Sequence, residues 1–164
     1  MTNAERRITD ELLANTHPVK LFWDMDGTCC SMEMHLKEYK LTPGFFANKR
    51  PIKTILAIIS RLNQLGAETY ILSFCGYYFQ KMDKLAWLNK YLPFVPLENT
   101  IIIPRRETDV RKAETKQKLK ALYLRDYISD GDIVYYIDDN ESVLLGTKEE
   151  LPSINIVSPI DFIE

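Results

Sequence analysis

Five short apolar runs, separated by segments of helical periodicity, constrain this chain more than any other feature. "VKLFW" (19–23), "AETYILS" (67–73), "TIIIP" (100–104), "DIVYYIDD" (132–139) and "SINIVS" (153–158) read as strands. Between them, "RPIKTILAIISRLNQLG" (50–66) places Ile52, Ile55, Leu56, Ile59, Leu62 and Leu65 on one helical stripe. Pro51 marks its first position and Gly66 its C-terminal end. "YYFQKMDKLAWLNKYL" (77–92) predicts a second helix with Phe79, Met82, Ala86 and Tyr91 inward, stopped by Pro93. "DVRKAETKQKLKALYLRDY" (109–127) predicts a third. This alternation predicts an α/β fold, a parallel sheet with helices on both faces. Unbroken apolar runs such as "TIIIP" suit strands buried on both sides. No repeat, low-complexity tract or linker divides the 164 residues, so a single domain over 1–164 is expected.

Parallel strands joined by right-handed crossovers put all their carboxyl ends on one edge, where open α/β sheets bind ligands. Asp24, Ser73, Asp138 and Asp139 stand at such ends and are expected to converge. In "LFWDMDGTCC" (21–30) two carboxylates close an apolar run just before a glycine. Phosphoryl transfer needs a nucleophile, a proton donor and positive charge around the phosphate oxygens. Asp24 suits in-line attack that forms an aspartyl-phosphate. Asp26 suits protonation of the leaving oxygen and then deprotonation of water. Carboxylates crowded this closely call for a hard divalent cation. Asp24, the main-chain carbonyl of Asp26, and Asp138 or Asp139 offer Mg²⁺ its oxygen ligands. Gly27 permits a close turn, Thr28 and Ser73 offer hydroxyls to the phosphate, and a lysine would complete the charge balance.

"DMDGT" after an apolar strand resembles the first motif of the haloacid dehalogenase superfamily of phosphohydrolases. "YILS", with Ser73 in the phosphate-binding place, is similar to its second motif, and "VYYIDDN" to its acidic fourth. "LTPGFFANKRPI", "KLAWLNKYLP" and "YYIDDN" are similar to the 5'(3')-deoxyribonucleotidase group. The resemblance implies a three-layer α/β/α, Rossmann-like sheet and an Asp-based, Mg²⁺-dependent phosphatase. It also implies a phosphate-binding lysine at the start of the helix before the acidic strand. "DVRKAETKQK" offers Lys112, Lys116 and Lys118; Lys112 is favoured, with Lys116 second. The nucleotidases carry a helical cap between the first two motifs, whereas only residues 29–50 are free for one here. A minimal lid is therefore expected, with Phe45 and Phe46 either stacking on a nucleobase or filling the space beneath the loop.

The resulting expectation is a phosphomonoester hydrolase acting on nucleoside monophosphates or similar small phosphates. Two other readings stay open: an open-faced phosphatase for a protein or polynucleotide phosphate, and a non-catalytic module binding a cation or a partner. A net charge of −2 argues against nucleic-acid binding by the whole surface. Three cysteines, two of them adjacent, suit reduced thiols in a cytoplasmic setting. The charged N-terminus "MTNAERRITDELLANT" lacks a signal segment, and no run approaches the ~20 apolar residues of a membrane span. His17 and His35 belong to no constellation, and Trp23 reads as core. The alternative role for one of Asp138 and Asp139 is simply to cap the next helix, and Ser73 alone would be a turn residue. Stretch 105–120 holds seven basic and three acidic residues, either a solvated face or a patch that steers anionic substrates. On the steering reading, Arg105→Ala with Arg106→Ala raises KM more at low salt than at high salt. A salt-independent KM change, read from steady-state rates at two ionic strengths, would refute it.

Overall fold

The computed structural model describes residues 1–32, 37–107, 113 and 115–163. Its centre is a five-stranded parallel sheet: β1 (Val19–Trp23), β2 (Glu68–Cys75), β3 (Thr100–Pro104), β4 (Ile133–Ile137) and β5 (Asn155–Val157). The strand order is β3-β2-β1-β4-β5, so the chain builds outward from β1 to β3 and then crosses back to the other side of β1. This reversal makes the β1/β4 boundary a topological switch point, the usual crevice of an open α/β sheet. Trp23 pairs in register with Ile71 on one side and Ile137 on the other. Asp24, one residue further, donates its N–H to the Ile137 carbonyl at 2.8 Å.

Six α-helices are described: α1 (Asn3–Ala14), α2 (Lys37–Lys40), α3 (Lys53–Gln64), α4 (Tyr78–Tyr91), α5 (Leu119–Leu124) and α6 (Glu141–Glu150). Alternation along β1 separates two cores. Leu21 and Trp23 face a layer containing Ile8 of α1, Ile55, Ile58, Ile59 and Leu62 of α3, and Trp87 and Leu88 of α4. Phe22 faces the opposite layer, with Leu119 and Leu124 of α5 and Leu144 of α6, and stacks on Tyr70 at 4.5 Å. The three-layer α/β/α architecture expected from the sequence is present. Among the described residues no helix is long and apolar enough to cross a membrane.

Several details depart from the periodicity. Helix α3 begins at Lys53, two residues after Pro51, and Leu65 is its exposed C-cap instead of part of the stripe. The inward face of α4 is Gln80, Lys84, Trp87 and Leu88, while Met82 and Ala86 are exposed and Phe79 and Tyr91 half-buried. A buried lysine and glutamine on the inner face hide that stripe from an apolar count. The third helix is shorter than 109–127: a 3₁₀ turn spans Lys116–Lys118 before α5, and another, Arg125–Tyr127, follows it. Residues 108–112 and 114 lie outside the described residues, as does His35. Helix α1 was not expected. Its Ile8 is fully buried, Ala4 and Leu12 pack partly buried against the same core, and polar contacts add to this, with Thr2 capping Glu5 and Glu5 accepting from Arg61 at 2.7 Å.

Candidate active site

The tips of β1 and β4 bring Asp24 and Asp138 to the switch point, and Asp139 joins them. One carboxylate oxygen from each lies within 4.8 Å of the others. Between the first two stands Lys120, on the first turn of α5, which donates to Asp24 Oδ1 at 2.6 Å and Asp138 Oδ2 at 2.7 Å. Asp138 also accepts from the Asn140 N–H at 2.9 Å and from the Tyr136 hydroxyl. Asn140, and not either aspartate, caps α6 by accepting from the Val143 N–H. Asp138 is therefore buried and fully engaged, whereas Asp139 is exposed.

Gly27 explains how these groups approach so closely. Its φ is +81°, and a Cβ there would come within 2.2 Å of Asp139 Oδ2. Any side chain would both strain the turn and drive Asp139 away.

Asp26 is held differently. Lys49 donates to its Oδ1 at 2.7 Å and Lys84 to its Oδ2 at 2.5 Å. Lys84 has no exposed side-chain surface and also donates to Ser73 Oγ (2.8 Å) and the Phe74 carbonyl (3.1 Å). Ser73 and Asp26 thus share one cation.

The electrostatics differ between the two acids. Burial raises Asp24, and the Asp138 and Asp26 charges add to this; Lys120 opposes them, leaving Asp24 at about 7. Burial would also raise Asp26, but Lys84 and Lys49 outweigh it and bring it down to about 2. Burial and the Asp138 charge raise Asp139. Separated acid strengths of this kind characterise sites that do proton chemistry. The Asp24, Asp138 and Asp139 oxygens form the all-oxygen donor set that hard divalent cations prefer. The residues present fit such an ion.

The segment 29–50 leaves and returns at one point. The Ser31 N–H donates to the Arg50 carbonyl and the Ile52 N–H to the Cys29 carbonyl, each at 2.9 Å. Helix α4 holds the segment down: Asp83 accepts from the Gly44 N–H (2.7 Å), Gln80 donates to the Lys40 carbonyl (2.7 Å), and the Trp87 indole donates to the Lys49 carbonyl (2.8 Å). Phe46 is buried beneath it with the Lys84 and Lys49 ammonium groups 4.9 and 5.3 Å from its ring centre; Phe45, half-buried, meets it edge-on at 5.0 Å.

Of the residues singled out by sequence, Asp24, Asp138 and Asp139 are together, and Asp26 and Ser73 are joined through Lys84. Thr28 is fully buried, with no hydrogen-bond partner for its hydroxyl among the described residues. Lys112 lies outside the described residues, Lys116 is exposed, and Lys118 pairs with Glu149 (2.9 Å) and Glu150 (3.3 Å) on α6. Sequence reasoning missed Lys120, Lys84 and Lys49. Lys120 sits where the start-of-helix rule points once the helix start is moved to Leu119. Cys29 and Cys30 donate their thiols to the Asp24 and Met25 carbonyls, and burial pushes Cys30 up to about 12, which removes the thiolate.

Comparison with known proteins adds the family. The profile described as 5' nucleotidase, deoxy (pyrimidine), cytosolic type C protein matches residues 23–115. No curated protein matches the chain. Two similar solved structures are described as the Pnkp1/Rnl/Hen1 complex and the Pnkp1/Rnl/Hen1 RNA repair complex. The first has a TM-score of 0.66 at 16% identity, covering 88% of this chain and 46% of that one. The second has a TM-score of 0.64 at 17% identity, covering 88% and 43%. This chain spans less than half the length of those chains, and the likeness concerns the fold.

The buried ion pairs predict a stability signature. Asp26→Asn strands Lys84 in the interior and costs about 3–5 kcal/mol, a fall in Tm of roughly 6–20 °C. Adding Lys84→Met to Asp26→Asn recovers at least half of that fall in thermal unfolding. An unchanged Tm for Asp26→Asn would contradict the pairing.

The match over more than half of its residues places this chain in the 5' nucleotidase, deoxy (pyrimidine), cytosolic type C family.

Proposed function

We propose that the protein hydrolyses small phosphomonoesters through an aspartyl-phosphate on Asp24. The observation that carries this reading is the meeting of Asp24, Asp138 and Asp139 at the switch point, with the Lys120 ammonium bridging the first two. An Asp24 carboxylate oxygen attacks phosphorus, the bond to the leaving oxygen breaks, and that oxygen takes a proton from Asp26. Water then attacks the phosphorus, passes a proton to the Asp26 carboxylate, and the Asp24–phosphate bond breaks to release phosphate.

Asp26 is strongly acidic while Lys84 and Lys49 hold it. A phosphate dianion offers both ammonium groups a competing partner, and moving them toward its oxygens lets Asp26 keep a proton for the leaving group. Lys120, Lys84 and Ser73 then surround the equatorial oxygens. Asp24, the Asp26 main-chain carbonyl, Asp138 and Asp139 would hold Mg²⁺, which when bound would neutralise the carboxylates and part of the phosphate charge.

Residues 1–164 act as one hydrolase domain, and 29–50 is its short lid. Phe46 fastens the lid, and Phe45 is the aromatic residue we assign to the nucleoside. A nucleoside monophosphate is the substrate that family membership favours. A phosphate on a polynucleotide end is the second reading, favoured by the small lid and by the fold shared with chains of an RNA repair complex. The family's cytosolic description and three free thiols support a cytoplasmic location.

Asp24→Asn is expected to lower turnover of an aryl phosphate by at least ~10³-fold while the circular dichroism spectrum is unchanged. Chelation with EDTA should silence the wild type, and Mg²⁺ should restore it. A folded Asp24→Asn enzyme that keeps its rate would remove the mechanism.

A further inference from the structure

Beside the acidic cluster, past the ends of β2 and β3, lies a second cleft of about 490 Å³. Its size falls within the ~300–1,000 Å³ typical of small-ligand sites. Among the described residues Phe74, Cys75, Gly76, Arg105 and Arg106 line it. Its backbone is rigid: the Arg105 N–H donates to the Cys75 carbonyl and the Arg106 N–H to the Gly76 carbonyl, each at 2.9 Å, which extends the sheet pairing beyond its strands. Buried Gln80 accepts from the Gly76 and Tyr77 N–H groups at 2.7 and 3.0 Å and fixes the opposite wall.

The two arginines are placed on aromatic rings. The Arg105 guanidinium lies 5.4 Å from the Phe74 ring centre, and that of Arg106 lies 5.4 Å from Tyr77, whose hydroxyl accepts from Arg106 Nη1 at 3.2 Å. Neither arginine has a carboxylate partner among the described residues. Glu107, the adjacent acid, accepts from the Tyr78 N–H at the head of α4. A guanidinium resting on a ring keeps its in-plane donors for a bidentate oxyanion. The same Phe74 ring carries the Lys120 ammonium at 5.9 Å, so a single side chain separates the arginine pair from the phosphoryl-transfer centre. The reacting phosphate already has Lys120, Lys84 and Ser73, and the arginines supply positive charge beyond what it needs.

We propose that the Arg105–Arg106 cleft binds a second phosphate of the substrate, one nucleotide unit from the phosphate being hydrolysed. This rests on the hydrolase reading above and narrows its substrate to nucleotides bearing two phosphates, either a nucleoside bisphosphate or the end of a strand. It differs from long-range steering, which would favour every anion and vanish at high salt.

The test compares a nucleoside 5'-monophosphate, the corresponding 3',5'-bisphosphate and a 5'-phosphorylated dinucleotide, at high salt. Binding to Asp24→Asn in Mg²⁺ is measured by titration calorimetry, and kcat/KM is measured on the wild type. The expected result is that the bisphosphate, the dinucleotide or both outperform the monophosphate at least tenfold in each assay. Arg105→Ala with Arg106→Ala should collapse that ratio to within twofold of one. A gain with the bisphosphate alone identifies a small-molecule source, and a gain with the dinucleotide a strand end. Equal binding of all three, or a ratio untouched by the arginine changes, overturns the proposal. A preference in binding without turnover of any of them keeps the subsite and removes the hydrolase reading instead.

Discussion

Carboxylates cannot gather at one edge of a sheet unless cations stand among them. Two unit negative charges about 4.8 Å apart repel by ~3–4 kcal/mol at an effective dielectric of ~20, and three aspartates here have oxygens that close. Lys120 offsets this by bridging Asp24 and Asp138, and Lys84 with Lys49 does the same for Asp26. Each of these lysines is buried or nearly so, and each would be costly there alone. The site is therefore one charge lattice of four aspartates and three lysines.

Three separate parts of the chain supply the lattice, and the fold explains how they meet. Lys120 comes from the start of α5, Lys84 from the middle of α4 and Lys49 from the returning limb of the lid. Parallel pairing of β1 with β2 and β4 sets Asp24 between the other strand tips, and the reversal of strand order opens the crevice they face. The lid is tied to the same network, because Trp87 holds the Lys49 carbonyl while the Lys49 ammonium holds Asp26. The position of segment 29–50 and the electrostatic setting of Asp26 are therefore linked through Lys49. Phe74 extends the system sideways, with Lys120 over it on the catalytic side and Arg105 beside the second cleft.

Much of this was legible in the amino-acid order. Strands with unbroken apolar runs were found nearly to the residue, because burial on both faces leaves no polar interruption; β1 and β3 coincide with "VKLFW" and "TIIIP". The aspartates were visible because a carboxylate ending an apolar strand is unusual in composition and position. The lysines were not. On an amphipathic helix a lysine normally marks the solvent face, so Lys84 and Lys120 read as surface, and the β1-tip aspartates they pair with, Asp26 and Asp24, lie more than fifty and ninety residues away. The stripe of α4 is hidden for the same reason, and α1 gives a weak signal because Ile8 is its one fully buried apolar residue, with Ala4 and Leu12 only partly buried beside it. Lys49 carries no local signal at all, since a turn lysine reaches Asp26 only through the tertiary return of segment 29–50.

On the proposed mechanism, phosphoryl transfer passes through Asp24 itself. Acid quenching of the enzyme during turnover, followed by peptide mapping in a mass spectrometer, tests it most directly. The account predicts an acid-stable, hydroxylamine-sensitive phosphate on the peptide that contains residues 21–30, borne by Asp24 and absent in Asp24→Asn. Phosphate found on Asp26, or rapid turnover with no trapped phosphoenzyme and full activity in Asp24→Asn, would contradict it.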